Sequence, residues 1–259
     1  MEELMIYTII TGGTEGIGLE LARFFAHDKH NLIIVARNKF KLEAIKSEFE
    51  KKYKISVETI QVDLSVDKAC EKIIKTVEEK KLIVDNLINN AGIGSFGFFN
   101  ESEDGFEEEL ININIIALTN LTKYFFKKMI ERKNGGILNV ASTAAFIGGP
   151  KMAMYYSSKA YVLSLTEALH DEAKEFGIRV SCLCPGPVKT SFQQKAGIEK
   201  SEKARRYLMD ASKVAEEAYV GFFKGKAIII PGYKNKLLVL GNKLIPRSLS
   251  RKIILKSNS

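Results

Sequence analysis

Residues 5–18 read Met5-Ile6-Tyr7-Thr8-Ile9-Ile10-Thr11-Gly12-Gly13-Thr14-Glu15-Gly16-Ile17-Gly18, and this stretch decides the fold. The apolar run Met5–Ile10 ends in Thr-Gly-Gly, which fits a buried strand and its turn. From Gly16 to Ala26 the side chains of Ile17, Leu21, Phe24 and Phe25 recur at helical spacing. A glycine-rich turn between a strand and a helix aims backbone amides and the helix dipole at one point, where a pyrophosphate can bind. The glycine spacing departs from G-x-G-x-x-G, and a tight turn without any ligand would read the same way.

Outward from this loop, strand-like and helix-like patterns alternate. Strands are expected at 31–35, 56–62, 84–88, 137–141, 178–183 and 227–230. Helices are expected at about 40–53, 67–80, 103–132, 153–176 and 213–224, the long third one closed by Asn134-Gly135-Gly136. Near-continuous apolar strands separated by helices imply an α/β, doubly wound fold with helices on both faces of a seven-stranded parallel sheet. With no internal repeat or linker in evidence, residues 1–232 read as one domain, including a charged, glycine-containing lid at about 191–211. A tail follows at 233–259.

The chemistry lies in a second pattern. Tyr155 and Lys159 are four residues apart in a helical stretch, so they share a face. An ammonium beside a phenol favours the phenolate and lowers a pKa that is about 10 when unperturbed. Ser142 stands thirteen residues before Tyr155 and adds a hydroxyl. A nucleotide loop with this trio points to hydride transfer between carbonyl and alcohol. The second expected strand ends Val35-Ala36-Arg37-Asn38, with no acid for a ribose 2′-hydroxyl and with an arginine suited to a 2′-phosphate. NADP(H) is therefore preferred over NAD(H), although a solvated loop arginine is the plainer reading of Arg37.

Taken in order, these motifs resemble the short-chain dehydrogenase/reductase family over residues 4 to about 230. The matching elements are Thr11–Gly18, Asp63-Leu64, Asn89-Asn90-Ala91-Gly92, Asn114, Ser142, Tyr155 with Lys159, and Pro185-Gly186 with Thr190. The resemblance implies a Rossmann-type fold and a role for each residue. Tyr155 would exchange the proton with substrate, Lys159 would lower its pKa and hold ribose hydroxyls, and Ser142 would support the developing alkoxide. Asn114 would anchor a water next to the lysine; Asn112 competes for that part, and the 28-residue separation from Ser142 favours Asn114. Gly12, Thr14, Glu15, Gly16, Ile17 and Gly18 would hold the pyrophosphate, with Arg37 and Asn38 at the 2′-position. Asp63, Leu64, Asn90, Ala91 and Gly92 would meet the adenosine, and Pro185, Gly186, Val188 and Thr190 the carboxamide end. The family further implies a homodimer or homotetramer formed through the two long helices. One departure stands out. Where the family's 3-oxoacyl-carrier-protein reductases carry an Asp-Gly-Gly-type segment, this chain has Ile230-Pro231-Gly232-Tyr233, which argues against that assignment and its tetramer.

Composition narrows the alternatives. A 46% apolar content supports a large core, and no run approaches a membrane span. Three cysteines form neither a disulfide framework nor a metal pattern; Cys182 and Cys184 read as buried thiols, His27, His30 and His170 as surface residues, and the cytoplasm as the compartment. The net charge of +8 is concentrated in the tail, where residues 234–256 hold seven Lys or Arg and no acid. Without interleaved aromatics this is no nucleic-acid signature. Beyond Pro246 the spacing of Leu249, Ile253 and Ile254 is helical, so the tail reads as a basic amphipathic element that contacts a membrane, packs on a subunit or covers its own pocket. The resemblance also implies where the pocket is built, and those segments here carry Ile93, Phe96, Phe98, Phe99, Phe146, Met152, Met154 and Phe192 as its expected apolar lining. Together these features describe an NADPH-dependent reductase of an apolar or acyl-chain ketone or aldehyde. The alternatives are an NAD-dependent alcohol dehydrogenase and a non-catalytic nucleotide-binding or membrane-associated protein.

Overall fold

The structure is a computed structural model and describes residues 5–198 and 208–257. Strands β1 (Ile6–Thr11), β2 (Asn31–Ala36), β3 (Val57–Gln61), β4 (Ile83–Asn89), β5 (Gly136–Val140), β6 (Arg179–Leu183) and β9 (Ile228–Ile229) form one sheet in the order β3-β2-β1-β4-β5-β6-β9. Every pairing in it is parallel. The two-residue strands β7 (Val188–Lys189) and β8 (Met209–Asp210) pair separately and bring together the two ends of the intervening segment. The described residues at either end of the expected lid are thus held side by side. Its final residues belong to β8 and the start of a helix, and 199–207 lie outside the described residues.

Alternation along each strand feeds two cores. Ile10, Ile34, Ile88, Leu138 and Leu183 face one side, against α1 (Gly16–His27), α2 (Lys39–Tyr53) and α8 (Ala211–Phe223), where Phe25, Phe49 and Phe222 are fully buried. Their neighbours Ile9, Ile33, Leu87, Ile137 and Val180 face the other side, packing with Ile73 and Val77 of α3 (Ala69–Glu79) and with Leu121, Phe125 and Met129. A period of two in the strands meets a period of 3.6 in the helices, which is why both faces are covered. Cys182 and Cys184 point to the same side and are buried, their Sγ atoms 3.7 Å apart. Two histidines read as surface residues are not. His30 packs edge-on against Phe25, and His170 Nδ1 donates to the Val180 carbonyl at 2.7 Å. Only His27 is fully exposed among the three.

The long third helix is not uniform. It runs as α4 (Phe106–Ile111), a π-helical segment (Asn112–Ala117) and α5 (Leu118–Arg132). The widened turn carries Asn114, whose amide bonds both backbone groups of Ile93 across the fold. Such π-turns are frequent at functional sites. After α6 (Ala153–Lys174) and the short α7 (Ser191–Lys195), the tail continues as α9 (Tyr233–Leu244) and α10 (Arg247–Ser257). Val239 and Ser250 anchor it to the body, and Asn235 fills the space above Gly186. Among the described residues, no helix is long and apolar enough to cross a membrane.

Gly18 marks where the first helix meets the sheet. A Cβ there would collide with Asn90 Nδ2 and the Gly12 carbonyl, neither of which has room to retreat. Gly18→Ala is expected to lower stability by about 1–3 kcal/mol, measured by urea unfolding. An unchanged midpoint would mean that helix and loop are not packed this tightly.

Candidate active site

All the parallel strands end at the same edge of the sheet, and the chain reverses its winding between β1 and β4. A crevice opens at such a reversal, outside the carboxyl ends of the strands. Here it is a cleft of about 1230 Å³. Thr11 builds its floor. Its Oγ1 accepts from the amides of Asn90 (3.0 Å) and Ala91 (3.1 Å), while Asn90 Nδ2 donates to the carbonyls of Thr11 (2.9 Å) and Gly12 (3.1 Å). Gly12 takes φ +63° and lies so near Ala91 that a side chain would enter the cleft floor.

Most of the residues singled out from the sequence converge on this cleft. Gly12, Thr14, Glu15, Gly16 and Ile17 line it from the first loop, Arg37 and Asn38 from the end of β2, and Asp63 and Leu64 from the end of β3. Asn90, Ala91 and Gly92 follow β4, Ser142 follows β5, Tyr155 and Lys159 come from α6, and Pro185, Gly186, Val188 and Thr190 follow β6. Two residues do not reach the cleft. Gly18 is a packing position, as described above. Asn114 is buried one layer behind, where it also donates to Ser158 Oγ at 3.0 Å and sets the backbone of Ile93.

At the catalytic end the groups are desolvated. Ser142 is buried, accepts from the Ala144 amide at 3.1 Å and donates to the Pro185 carbonyl at 3.4 Å. Lys159 is buried too, donates to the Val140 carbonyl at 2.9 Å and lies 5.7 Å from the Tyr155 ring centre. Burial pulls the Lys159 ammonium down to about 8. Tyr155 does not follow the expectation that the lysine lowers it. Burial pushes its phenol up to about 12, against the opposing effect of its hydrogen bond with Ser142. The reason is physical: withdrawing a phenolate from water costs more than the Ser142 hydrogen bond returns. Tyr155 is thus held protonated at neutral pH, the form a proton donor needs.

The opposite end is a charge network. Arg37 Nη1 lies 3.6 Å from Asp63 and 3.7 Å from Glu109, and it is half exposed. Asp63 also accepts from the amide and hydroxyl of Ser65. Burial would raise Glu15, but hydrogen bonds from Lys195, Lys41 and Ser191 outweigh it and bring its carboxyl to about 2. Lys41 and Lys195 were not picked out from the sequence. Lys41 was legible as a cation in the first turn of the helix after β2, whereas Lys195 needed the fold to bring α7 onto the glycine loop. The donors at this end, the open glycine floor and the cleft's size together suit a dinucleotide.

Between the two ends the apolar wall differs from the expected one. Ile93, Phe96, Met152 and Phe192 line the cleft, and Phe192 packs on Tyr155 with ring centres 5.4 Å apart. Phe98 and Phe99 are instead exposed, Phe98 lying against Lys151, and neither Met154 nor Phe146 faces the cleft. Their places are taken by Ile147 and by Leu238 and Ile254 of the tail. The tail therefore contributes to its own pocket, one of the three placements its sequence allowed.

Fold and site together define a Rossmann-type α/β protein whose cleft joins a glycine-rich loop to a Ser-Tyr-Lys cluster. The family described as short chain dehydrogenase matches residues 7–201, and the chain belongs to that family. It is 37% identical over 204 residues to a very-long-chain 3-oxoacyl-CoA reductase-like protein of Arabidopsis thaliana, covering 75% of this chain and 64% of that one. It is 29% identical over 256 residues to the very-long-chain 3-oxoacyl-CoA reductase of Mus musculus, covering 96% of this chain and 78% of that one. A short-chain dehydrogenase from Sphingobium yanoikuyae, solved in complex with NADPH, superposes with a TM-score of 0.82 at 30% identity over 88% of each chain. Several relatives are longer: the chain spans 60% of the human, bovine and rat very-long-chain 3-oxoacyl-CoA reductases.

The depressed Lys159 makes a test. Below about pH 8 it carries its charge, and above that it loses it. If the charge supports turnover, kcat/KM for carbonyl reduction should fall as pH rises through about 8. In Lys159→Arg, whose guanidinium stays charged, the residual activity should lose that alkaline limb. A wild-type profile flat to pH 10 would remove the lysine's charge from the mechanism.

Proposed function

We propose that this chain is an NADPH-dependent reductase that converts a ketone on an acyl chain to the alcohol, with a 3-oxoacyl thioester as substrate. The observation that carries it is the convergence of Ser142, Tyr155 and Lys159 at one end of a cleft with an apolar wall, while Arg37 and Lys41 stand at the other end. The names of the Arabidopsis and mouse relatives supply the thioester, and the NADPH complex of the Sphingobium protein supports the cofactor.

The nicotinamide, when bound, supplies the hydride. The chain's own residues do the rest. Tyr155 Oη gives its proton to the carbonyl oxygen as charge develops there, and Ser142 Oγ, already bonded to Tyr155, steadies that oxygen. Lys159 places a positive charge beside the phenol as it becomes phenolate. Asn114 acts at one remove, by fixing the Ile93 backbone on the cleft wall. Arg37 can leave its two carboxylates for a 2′-phosphate at little cost, since exposed ion pairs are worth about 0–1 kcal/mol. An NAD-dependent alcohol oxidation would use the same residues in reverse but leaves Arg37 and Lys41 without a partner in the cofactor. A purely binding role leaves the buried Ser-Tyr-Lys cluster unused.

Two wider contacts belong to the same reading. The outer faces of the long helices expose Ile116 and Tyr161, which suits a homodimer formed through them. Leu237, Leu240 and Leu244 stand exposed on α9 among lysines, which suits contact with an anionic membrane surface.

Two measurements test the assignment. Tyr155→Phe should lower kcat for NADPH-dependent reduction of a 3-oxoacyl thioester by about 10²–10⁴ while NADPH still binds. Arg37→Ala should weaken NADPH several-fold and leave NADH unchanged by fluorescence titration. Equal loss for both cofactors, or reduction of small polar polyols' ketones alone, would refute the reading.

A further inference from the structure

A second cavity of about 400 Å³ lies beside the cleft, between the segment after Ser142 and the two tail helices. Ile147 and Asn242 line both, so the two spaces share a wall. Lys243, Arg247 and Arg251 line the smaller one, and among the described residues none of the three forms an ion pair. The tail itself has no acid from residue 234 to the end. Arg247 is the first residue of the eleven-residue helix α10, so the helix's positive dipole end lies here as well, although the amides of Leu249 and Ser250 are already bonded to the Pro246 carbonyl.

Independent of the charge, one side chain is left waiting. Ser250 is 3% exposed and lines the cavity, and its Oγ has no hydrogen-bond partner. A buried hydroxyl costs free energy unless it is bonded, so an unpartnered one beside three cations marks the place of a ligand oxygen.

We propose that this cavity is a phosphate subsite, and that it takes a phosphate of coenzyme A when the acyl part of the thioester lies in the cleft. The inference rests on the reductase reading above. Three cations outnumber the single charge of a carboxylate but match a phosphate monoester of nearly two charges, which arginine can grip through paired N–H groups. The shared wall at Ile147 and Asn242 makes one ligand that spans both spaces the natural occupant. A lipid headgroup has the same phosphate chemistry, and the test separates the two sources.

The experiment compares the full chain with its Arg247→Gln/Arg251→Gln and Ser250→Ala variants. The substrates are one 3-oxoacyl group carried either on coenzyme A or on N-acetylcysteamine, which lacks phosphate. The expected result is a fall of about tenfold or more in the kcat/KM ratio of coenzyme A to N-acetylcysteamine substrate for the arginine variant. A smaller fall in the same direction is expected for Ser250→Ala. An unchanged ratio overturns the proposal. If wild-type protein reduces neither thioester, the reductase reading fails, and calorimetry with free coenzyme A decides the subsite: binding weakened by the arginine changes supports it, and no binding overturns it. Flotation on phosphatidylcholine vesicles with and without phosphatidic acid is the third arm. Vesicle binding lost in the arginine variant, with an unchanged thioester ratio, assigns the phosphate to a lipid and overturns the coenzyme A subsite.

Discussion

The junction of β1 with β4 is the constraint on which the rest depends. The winding of the sheet reverses there, and Thr11 and Asn90 hold it with four hydrogen bonds. Those bonds seat the glycine loop at the floor of the cleft, and Gly18 lets α1 approach close enough for Asn90 to reach across. Without this junction the glycine-loop end and the Ser-Tyr-Lys end would have no common wall. The asparagines that look like ligand contacts in the sequence are thus first of all structural ties, which satisfy buried backbone groups.

Burial governs the chemistry as much as charge does. Lys159 and Tyr155 are both desolvated, and each is driven toward its neutral form. Burial therefore keeps the Tyr155 phenol protonated at neutral pH and leaves Lys159 with a charge that it loses at about pH 8. The other end of the cleft is open and ionic, with Arg37, Lys41 and Lys195 shared among Asp63, Glu15 and Glu109. Lys195 belongs to α7, so this network ties the glycine loop to the start of the segment that follows β7.

The tail changes the picture of the pocket. Its two helices place Leu238 and Ile254 on the cleft wall and three cations beside it. A basic amphipathic sequence is commonly read as a membrane or partner surface. Here one face of it is spent on the protein's own cavity, and only the other remains outside.

From its sequence alone, the chain determined the α/β class, the seven-stranded parallel sheet and the main strands and helices of the body to within a few residues, because strand and helix periodicities are local properties of ten or so residues. The residues of the candidate site were legible for the same reason: the glycine loop, Asn90, Ser142, Tyr155 and Lys159 sit at fixed offsets from those elements. Tertiary structure alone decided what depends on neighbours distant in the chain. It put Gly18 and Asn114 behind the cleft, turned Phe98 and Phe99 outward, and brought Lys195 to Glu15 across 180 positions. It also reversed the expected shift of Tyr155, since desolvation is set by everything packed around a group and leaves no mark in the residues beside it.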